Sequence, residues 1–450
     1  MFSLIPALEK CFRSSKKSRN RPVRRARLGV EGLEDRITPS TYIDGSGAQH
    51  FVMDQPNEHK MVLTELNNNS PVVVKIEDNS GNVLEYYTTY NTNIIAGGSS
   101  QGGDTFYVNG VPSGVTETIE EGNYSCVVNV TQPSGSFDFI RGNLNVDGNN
   151  MTLNVYDQNA FNTGQTYTIN AHNVIRNGSG GGYHDVHFGN IGAVNLYGAY
   201  YGNGSTSNYS IVDTPGWGAT TSITTGPGHD TVWVNGTTGQ LTVHGMGQIS
   251  ATVGFWGSVQ AINGTVIFDN PPSYTSINVD DHGDPTGRTF DMYGFAGWGY
   301  LSLPSNAFIE YKYADTSSVT LRTGTGGNTV NVWGTGVTTN VIGNGFQYLD
   351  HINVGFNGSV QNIMGTLNIS NPSGWWVINV DDSKDAGTRH ASLGQSSFSS
   401  SWGTLSGLAP ASINYDYFDT YGLFIETNNS SSVWVYTDGG VDTWLNGIYV

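Results

Sequence analysis

From about residue 41 onward, apolar and polar residues alternate in short runs that glycine, asparagine, aspartate and proline interrupt. Thr231-Val232-Trp233-Val234, Leu241-Thr242-Val243, Ile249 to Val253, Gly264 to Phe268 and Ser276-Ile277-Asn278-Val279 are examples. Alternation of this kind sends successive side chains to opposite faces of a strand. The runs recur at roughly 8–12-residue intervals, a spacing that points to a sandwich, barrel or solenoid rather than to strands alternating with helices. Nowhere does the body show a helical period sustained over three turns. The pattern predicts an all-β fold.

The runs also repeat over a longer distance. Residues 226–236 (GPGHDTVWVNG) align with 324–334 (GTGGNTVNVWG), 98 residues on. Residues 253–260 (VGFWGSVQ) align with 354–361, and 264–281 (GTVIFDNPPSYTSINVDD) with 365–382 (GTLNISNPSGWWVINVDD), both at an offset of 101. A more diverged copy begins at 102–110 (GGDTFYVNG), and 439–447 (GGVDTWLNG) opens a further one, so units start near residues 102, 226, 324 and 439. Repetition of this kind predicts a right-handed β-solenoid over 101–450, with tandem β-sandwiches as the alternative. The units run together without Pro-rich or charged linkers, which favours the solenoid. Coils of roughly 20–30 residues would give about four per unit. Residues 41–100 have a different texture (QPNEHK, ELNNNS, EDNSGN) and read as an N-terminal β cap.

Composition supports a folded body. Gly reaches 60 of 450 residues and charged residues only 12%, but 24 Tyr, 18 Phe and 10 Trp supply material for a core. Charge is sharply divided: residues 1–40 carry ten Lys/Arg against four Asp/Glu, and the remainder nine against thirty-three, so +6 and −24 sum to the net −18. A body this acidic repels phosphate backbones, and no nucleic-acid partner is expected. No apolar run is long enough for a transmembrane helix. Cys11 and Cys126 are the only cysteines, and Cys11 lies in the basic leader, which leaves no disulfide within the body.

Residues 1–40 read as a targeting segment rather than part of the fold. Within it, Arg27-Leu28-Gly29-Val30-Glu31-Gly32-Leu33-Glu34-Asp35-Arg36-Ile37-Thr38-Pro39-Ser40 resembles the "VE-x-LEDR-x-TPS" leader of many large exported proteins of Planctomycetes. The cycle of Gly-Asn-Asp-Thr-like elements, "GTLN" strands and "INVDD" strands over roughly 100–450 resembles the long Gly/Asn/Asp-rich repeats of planctomycete and some actinobacterial surface proteins. The resemblance implies an exported protein at the cell surface or outside the cell and a stacked β architecture. It carries no activity over.

Three constellations are candidates for chemistry. Thr225 to Val232, with Asp230, approaches the nonapeptide of calcium-binding β-rolls, and Asp104 holds the corresponding place in the first unit. Calcium wants six to eight oxygen ligands, whereas this element occurs once per unit and the next copy carries Asn328. A tight Gly-Asx corner is therefore the favoured reading, and no cofactor is expected. The second candidate is Asp280, Asp281 and Asp284 with His282 and Arg288, a set that would suit a polysaccharide lyase or hydrolase. The next unit reads Asp381-Asp382-Ser383-Lys384-Asp385 with Arg389, which suits turn chemistry better. Third are the aromatic clusters Trp375-Trp376, Phe255-Trp256, Tyr200-Tyr201 and Trp298 with Tyr300, together with Trp217. In a strand, one member of each doublet faces the core and the other is free to stack on a sugar ring. Gly98-Ser99-Ser100-Gln101-Gly102 fits G-x-S-x-G but runs on toward another strand instead of a helix, as a nucleophile elbow does not.

The sequence thus points to a non-enzymatic structural or adhesive protein of the bacterial surface or matrix, with polysaccharide or other surface proteins as partners. The alternatives are a carbohydrate-binding repeat protein and a β-helical polysaccharide lyase or hydrolase.

Overall fold

The computed structural model describes residues 41–450 apart from 67–70, 100–101, 122–124, 161–163, 178–182, 201–205, 217, 347, 447 and 450. The leader, Tyr201, Trp217 and the Ser100-Gln101 pair therefore lie outside the described residues. The regular structure is strand throughout, with single 3-10 turns at Phe137–Phe139, Tyr313–Asp315 and Tyr417–Asp419. Among the described residues there is no α-helix, and so no helix long and apolar enough to cross a membrane.

The strands wind as a solenoid of two layers around one apolar core. In the first layer Gln49–Val52, Asn93–Gly97, Thr116–Glu121 and the first half of Asn143–Tyr156 pair in parallel. In the second, Lys60–Glu65, Thr105–Val108, Val127–Val130 and the other half of Asn143–Tyr156 do the same. The chain thus places one strand in each layer per coil. Asn143–Tyr156 and Tyr183–Tyr197 bend from one layer into the other, which makes the ladder continuous. Parallel neighbours need a crossover between them, and here the strand of the opposite layer is that crossover. Tandem Greek-key sandwiches, built from antiparallel pairs, are thereby excluded.

Short coils bring equivalent residues into register. Thr221, Leu241 and Val266 stack 20 and 25 residues apart, and Thr329, His351 and Val377 stack 22 and 26 apart. Inward positions form aliphatic and aromatic ladders such as Leu196, Ile223, Val243, Phe268 and Tyr311, all buried. The opposite set of positions carries amide ladders. Asn154 donates to Asn129 at 2.9 Å and Asn195 to Asn154 at 2.8 Å. Asn331, Asn353 and Asn379 repeat the device, as do Asn340, Asn368 and Asn414. An amide both donates and accepts, and strands about 4.8 Å apart set its partners at hydrogen-bond distance.

Among the described residues of the solenoid past the N-terminal end, three coils are lengthened by antiparallel excursions. These are Thr166–Ile169 with Asn173–Asn177 and Tyr183–Tyr197, then Thr289–Phe295 with Trp298–Ser302 and Phe308–Lys312, then His390–Gln395 with Trp402–Ser406 and Ile413–Asp416. At the N-terminal end Thr41–Ile43 pairs antiparallel with Gln49–Val52 in the first layer, and Val72–Glu77 and then Val83–Thr89 add two antiparallel strands beside Lys60–Glu65 in the second.

The excursions correct the expectation of four coils per unit. Ile277, Val319, Thr339 and Leu367 stack in one layer, separated by 42, 20 and 28 residues. The repeat equivalent of Ile277 is Ile378, eleven residues past Leu367, in Trp375–Asp382 of the other layer. One unit is therefore three coils plus one further strand.

Candidate functional site

The structure divides the acidic cluster between inside and outside, because Asp280 and Asp281 are consecutive and face opposite ways. Asp280 is half-buried and its Oδ1 lies 2.7 Å from Nδ1 of the exposed His282. Asp281 is buried, and its Oδ1 accepts the Val259 N–H of the preceding coil at 3.0 Å. Burial pushes its carboxyl up to about 6, with the Val259 N–H pulling the other way. Asp284 is bound by Arg288 Nε at 2.8 Å and by the Thr286 N–H at 2.9 Å. Burial opposes those partners, yet they hold Asp284 below the usual carboxylate range.

The next unit repeats this corner. Asp382 is buried and accepts the Val360 N–H at 3.1 Å, and Arg389 Nε binds Asp385 at 2.8 Å. In the first unit Asp157 accepts the Phe137 N–H at 2.7 Å and is bound by the buried Arg176 at 2.8 Å. An aspartate reaching back to a backbone N–H of the previous coil is a staple between coils. A glycosidase instead sets two carboxylates on either side of an open substrate position, and Asp281 and Asp382 open onto none.

The corners suggested for calcium are built similarly. Asp230 is buried, accepts the Ser207 N–H at 2.8 Å and is pushed up to about 6 by burial. Asp104 is buried, accepts the Ser99 N–H at 2.5 Å and lies 3.3 Å from His59 Nδ1. Asn328, the counterpart of Asp230, donates its amide to Gly324 O and Gly326 O at 2.9 and 2.7 Å, bonds within its own turn. Among the described residues no three His, Cys, Asp or Glu side chains converge on a metal position. Cys126 is buried and free, its thiol pushed up to about 12 by burial.

The aromatic doublets behave in two ways. Trp376 is fully buried, its Nε1 donating to Ser370 O at 2.8 Å, and Trp375 is 51% exposed, as strand alternation requires. Phe255 and Trp256 are both exposed, Trp256 by 85%, which corrects the expectation of one inward residue. They sit on a turn where Trp256 has φ 52°, so alternation does not apply. Trp298 and Tyr300 share one face: Lys312 Nζ lies over the Trp298 ring at 5.1 Å and Tyr293 stacks on Tyr300 at 5.1 Å.

The most distinctive concave feature was not singled out from the sequence. Phe346, Trp375, Trp402 and Phe418 line a cleft of about 570 Å³ together with Ser370, Asn371, Asp416 and Asp419. Trp402 and Asp416 face each other across the antiparallel pair Trp402–Ser406 and Ile413–Asp416. Asp416 caps the Tyr417–Asp419 turn by accepting the Phe418 N–H at 2.9 Å, and that turn presents Phe418, 83% exposed. Asp419 is buried; one carboxylate oxygen accepts the Asn371 N–H and the other has no partner. Burial, with the Asp416 charge adding to it, pushes Asp419 up to about 7. A signal did exist: residues 298–315 (WGYLSLPSNAFIEYKYAD) match 402–419 (WGTLSGLAPASINYDYFD) at an offset of 104. No protein-family model matches the chain, and no curated protein matches it.

Proposed function

We propose that this chain is a non-enzymatic structural or adhesive protein, exported to the bacterial cell surface or its surroundings, whose stacked coils hold contact residues on both layers. The observation that carries this reading is the duplicated acidic corner. Asp281 and Asp382, with Arg288 and Arg389 on Asp284 and Asp385, do the same work in successive units. A single active site has no need of a copy. The leader string and the Gly/Asn/Asp-rich repeats, similar to those of planctomycete surface proteins, support the location, with other surface proteins or polysaccharide as partners.

Fractionation of the native host with an antibody to the body tests the location, and protein found mainly in the soluble cytoplasm would overturn it. A polysaccharide panel tests the absence of catalysis. Turnover that Asp281→Asn abolishes and Asp382→Asn leaves intact would identify an active site at the first corner and sink the structural reading.

A further inference from the structure

We propose that the cleft between Trp402, Asp416, Phe418 and Trp375 binds an alkylammonium group, taking from outside the cation that a lysine of the chain supplies at the equivalent place one unit earlier. The inference is independent of where the protein resides and of whether it is adhesive.

Strand register makes the two places equivalent. Trp298 pairs with Lys312 across the earlier excursion, and Trp402 pairs with Asp416 across the later one. In the earlier unit the Lys312 ammonium lies 5.1 Å from the centre of the Trp298 ring and 2.5 Å from Asp269 Oδ1. An ammonium over an indole face beside a carboxylate is a favourable arrangement, since the ring quadrupole and the anion act together. Phe268 pairs with Tyr311 and Ile369 with Tyr415, which puts Asp269 beside Lys312 and Ser370 beside Asp416.

The later unit therefore differs by a concerted exchange. The lysine has become Asp416, its partner aspartate Ser370, Ala314 Phe418, and Tyr274 Trp375. The tryptophan, its ring packed on Phe398 at 5.4 Å, and the acidic surroundings persist, and the internal cation does not. Asp315 and Asp419 also correspond, accepting the N–H of Asn270 and of Asn371. At Asp315 the Asp269 charge opposes the carboxylate and the Lys312 charge offsets it, whereas at Asp419 the Asp416 charge opposes it without such an offset. The residues lining the cleft include two carboxylates, four aromatic rings and no cationic side chain. That lining complements an organic cation, and a chain whose body carries a net charge of −24 draws cations toward it.

The probe is n-pentylammonium chloride, titrated calorimetrically into the full chain, with 1-pentanol and glucose as neutral comparisons. Pentylammonium is expected to bind in the millimolar range and the neutral probes at least tenfold more weakly. Asp416→Lys restores the lysine of the earlier unit, where the Tyr313–Asp315 turn forms without a side-chain cap from Lys312. That variant should keep its melting temperature and lose at least tenfold in affinity. Phe418→Ala, which copies Ala314, is a second variant at an exposed position and should weaken binding severalfold without affecting the fold. Absent pentylammonium binding, equal binding of pentanol or glucose, or affinity unchanged in both variants would each overturn the proposal.

Discussion

Glu117 is the least accommodated side chain in the core, and replacing it with leucine should stabilise the protein by an amount that grows with pH. The strand Thr116–Glu121 turns Glu117, Ile119 and Glu121 inward. Glu117 stacks between Ile94 and Leu144, and Leu144 pairs on with Val186, so one acid interrupts an aliphatic ladder. Neither carboxyl oxygen has a hydrogen-bond partner. Burial, with the Glu65 charge adding to it, pushes Glu117 from 4.5 up to about 8. The fold then retains a proton that the unfolded chain has released, so stability falls as pH rises from about 4.5 to 8 and levels off above. At about 1.4 kcal/mol per unit, the full loss is roughly 5 kcal/mol. In Glu117→Leu that term vanishes, and the partnerless carboxyl gives way to buried aliphatic surface for roughly 2 kcal/mol more. Denaturant unfolding of variant and parent from about pH 5 to pH 9 reads both terms: the gap should open from roughly 2 to roughly 7 kcal/mol. Glu117→Gln should abolish Glu117's share of the pH dependence while keeping an unpaired polar group inside. A gap that stays constant with pH, or a less stable leucine variant, would refute this account of the ladder.

The corner carboxylates predict a broader trend of the same sign. Burial pushes Asp230, Asp281 and Asp350 up to about 6 and Glu121 and Asp419 to about 7, whereas His184, lowered by burial, works the other way, as do the hydrogen-bonded Asp44, Asp78, Asp284 and Asp385, held low, at the acid edge of the range. Melting temperature should therefore fall between about pH 4 and pH 7 and then level, and a steady rise across that window would contradict the burial of these acids. Asn353 gives and receives one ladder bond, at 2.8 and 2.9 Å, so Asn353→Ala should cost about 2 kcal/mol in urea unfolding; no measurable loss would mean the ladder is idle. Trp376→Ala should cost roughly 3–5 kcal/mol, against about 1 for the half-exposed Trp375→Ala next to it, and similar losses would show the strand to be in the other phase.

Strand positions and repeat offsets were legible in the sequence because an alternation of period two and Gly-Asx corners are local signals. Val232 and Val234, Leu241 and Val243, and Ile277 and Val279 all face inward as their spacing requires. Strand direction is not a local signal. Trp298–Ser302 reads like any other strand, and only its pairing reveals it as an antiparallel insertion that turns four expected coils into three and a strand. Phase is also weakly written where apolar anchors are few. In Thr116-Glu117-Thr118-Ile119-Glu120-Glu121 a single isoleucine fixes which face is buried, and it carries two glutamates in with it. The acidic cluster was visible as composition, but which aspartate faces inward follows from Asp281 being next to the buried Val279 by two, a parity that only the coil contacts make consequential. The cleft escaped notice because its meaning lies in a difference between copies, Lys312 against Asp416, rather than in a motif.

The length of the unit, three coils and a strand, explains why such differences matter more here than in a solenoid whose repeat is a single coil. In that simpler case, equivalent residues of successive units stack on the same layer and a lysine at one level would neighbour its copy at the next. Here the strand Phe308–Lys312 follows Val266–Asp269 in the second layer, whereas Ile413–Asp416 follows Leu367–Ser370 in the first. Equivalent positions therefore appear on alternate layers, out of contact with each other. Each copy sits among neighbours from the other parts of the unit, and an exchange such as Lys312 to Asp416 meets no opposing copy that would have to change with it. Aliphatic ladders still run from coil to coil and amide ladders join several of them, so the fold is held by positions that must match their neighbours. The faces of the excursions are relieved of that requirement. A solenoid arranged in this way can keep one set of corners and ladders constant while each excursion acquires a contact surface of its own.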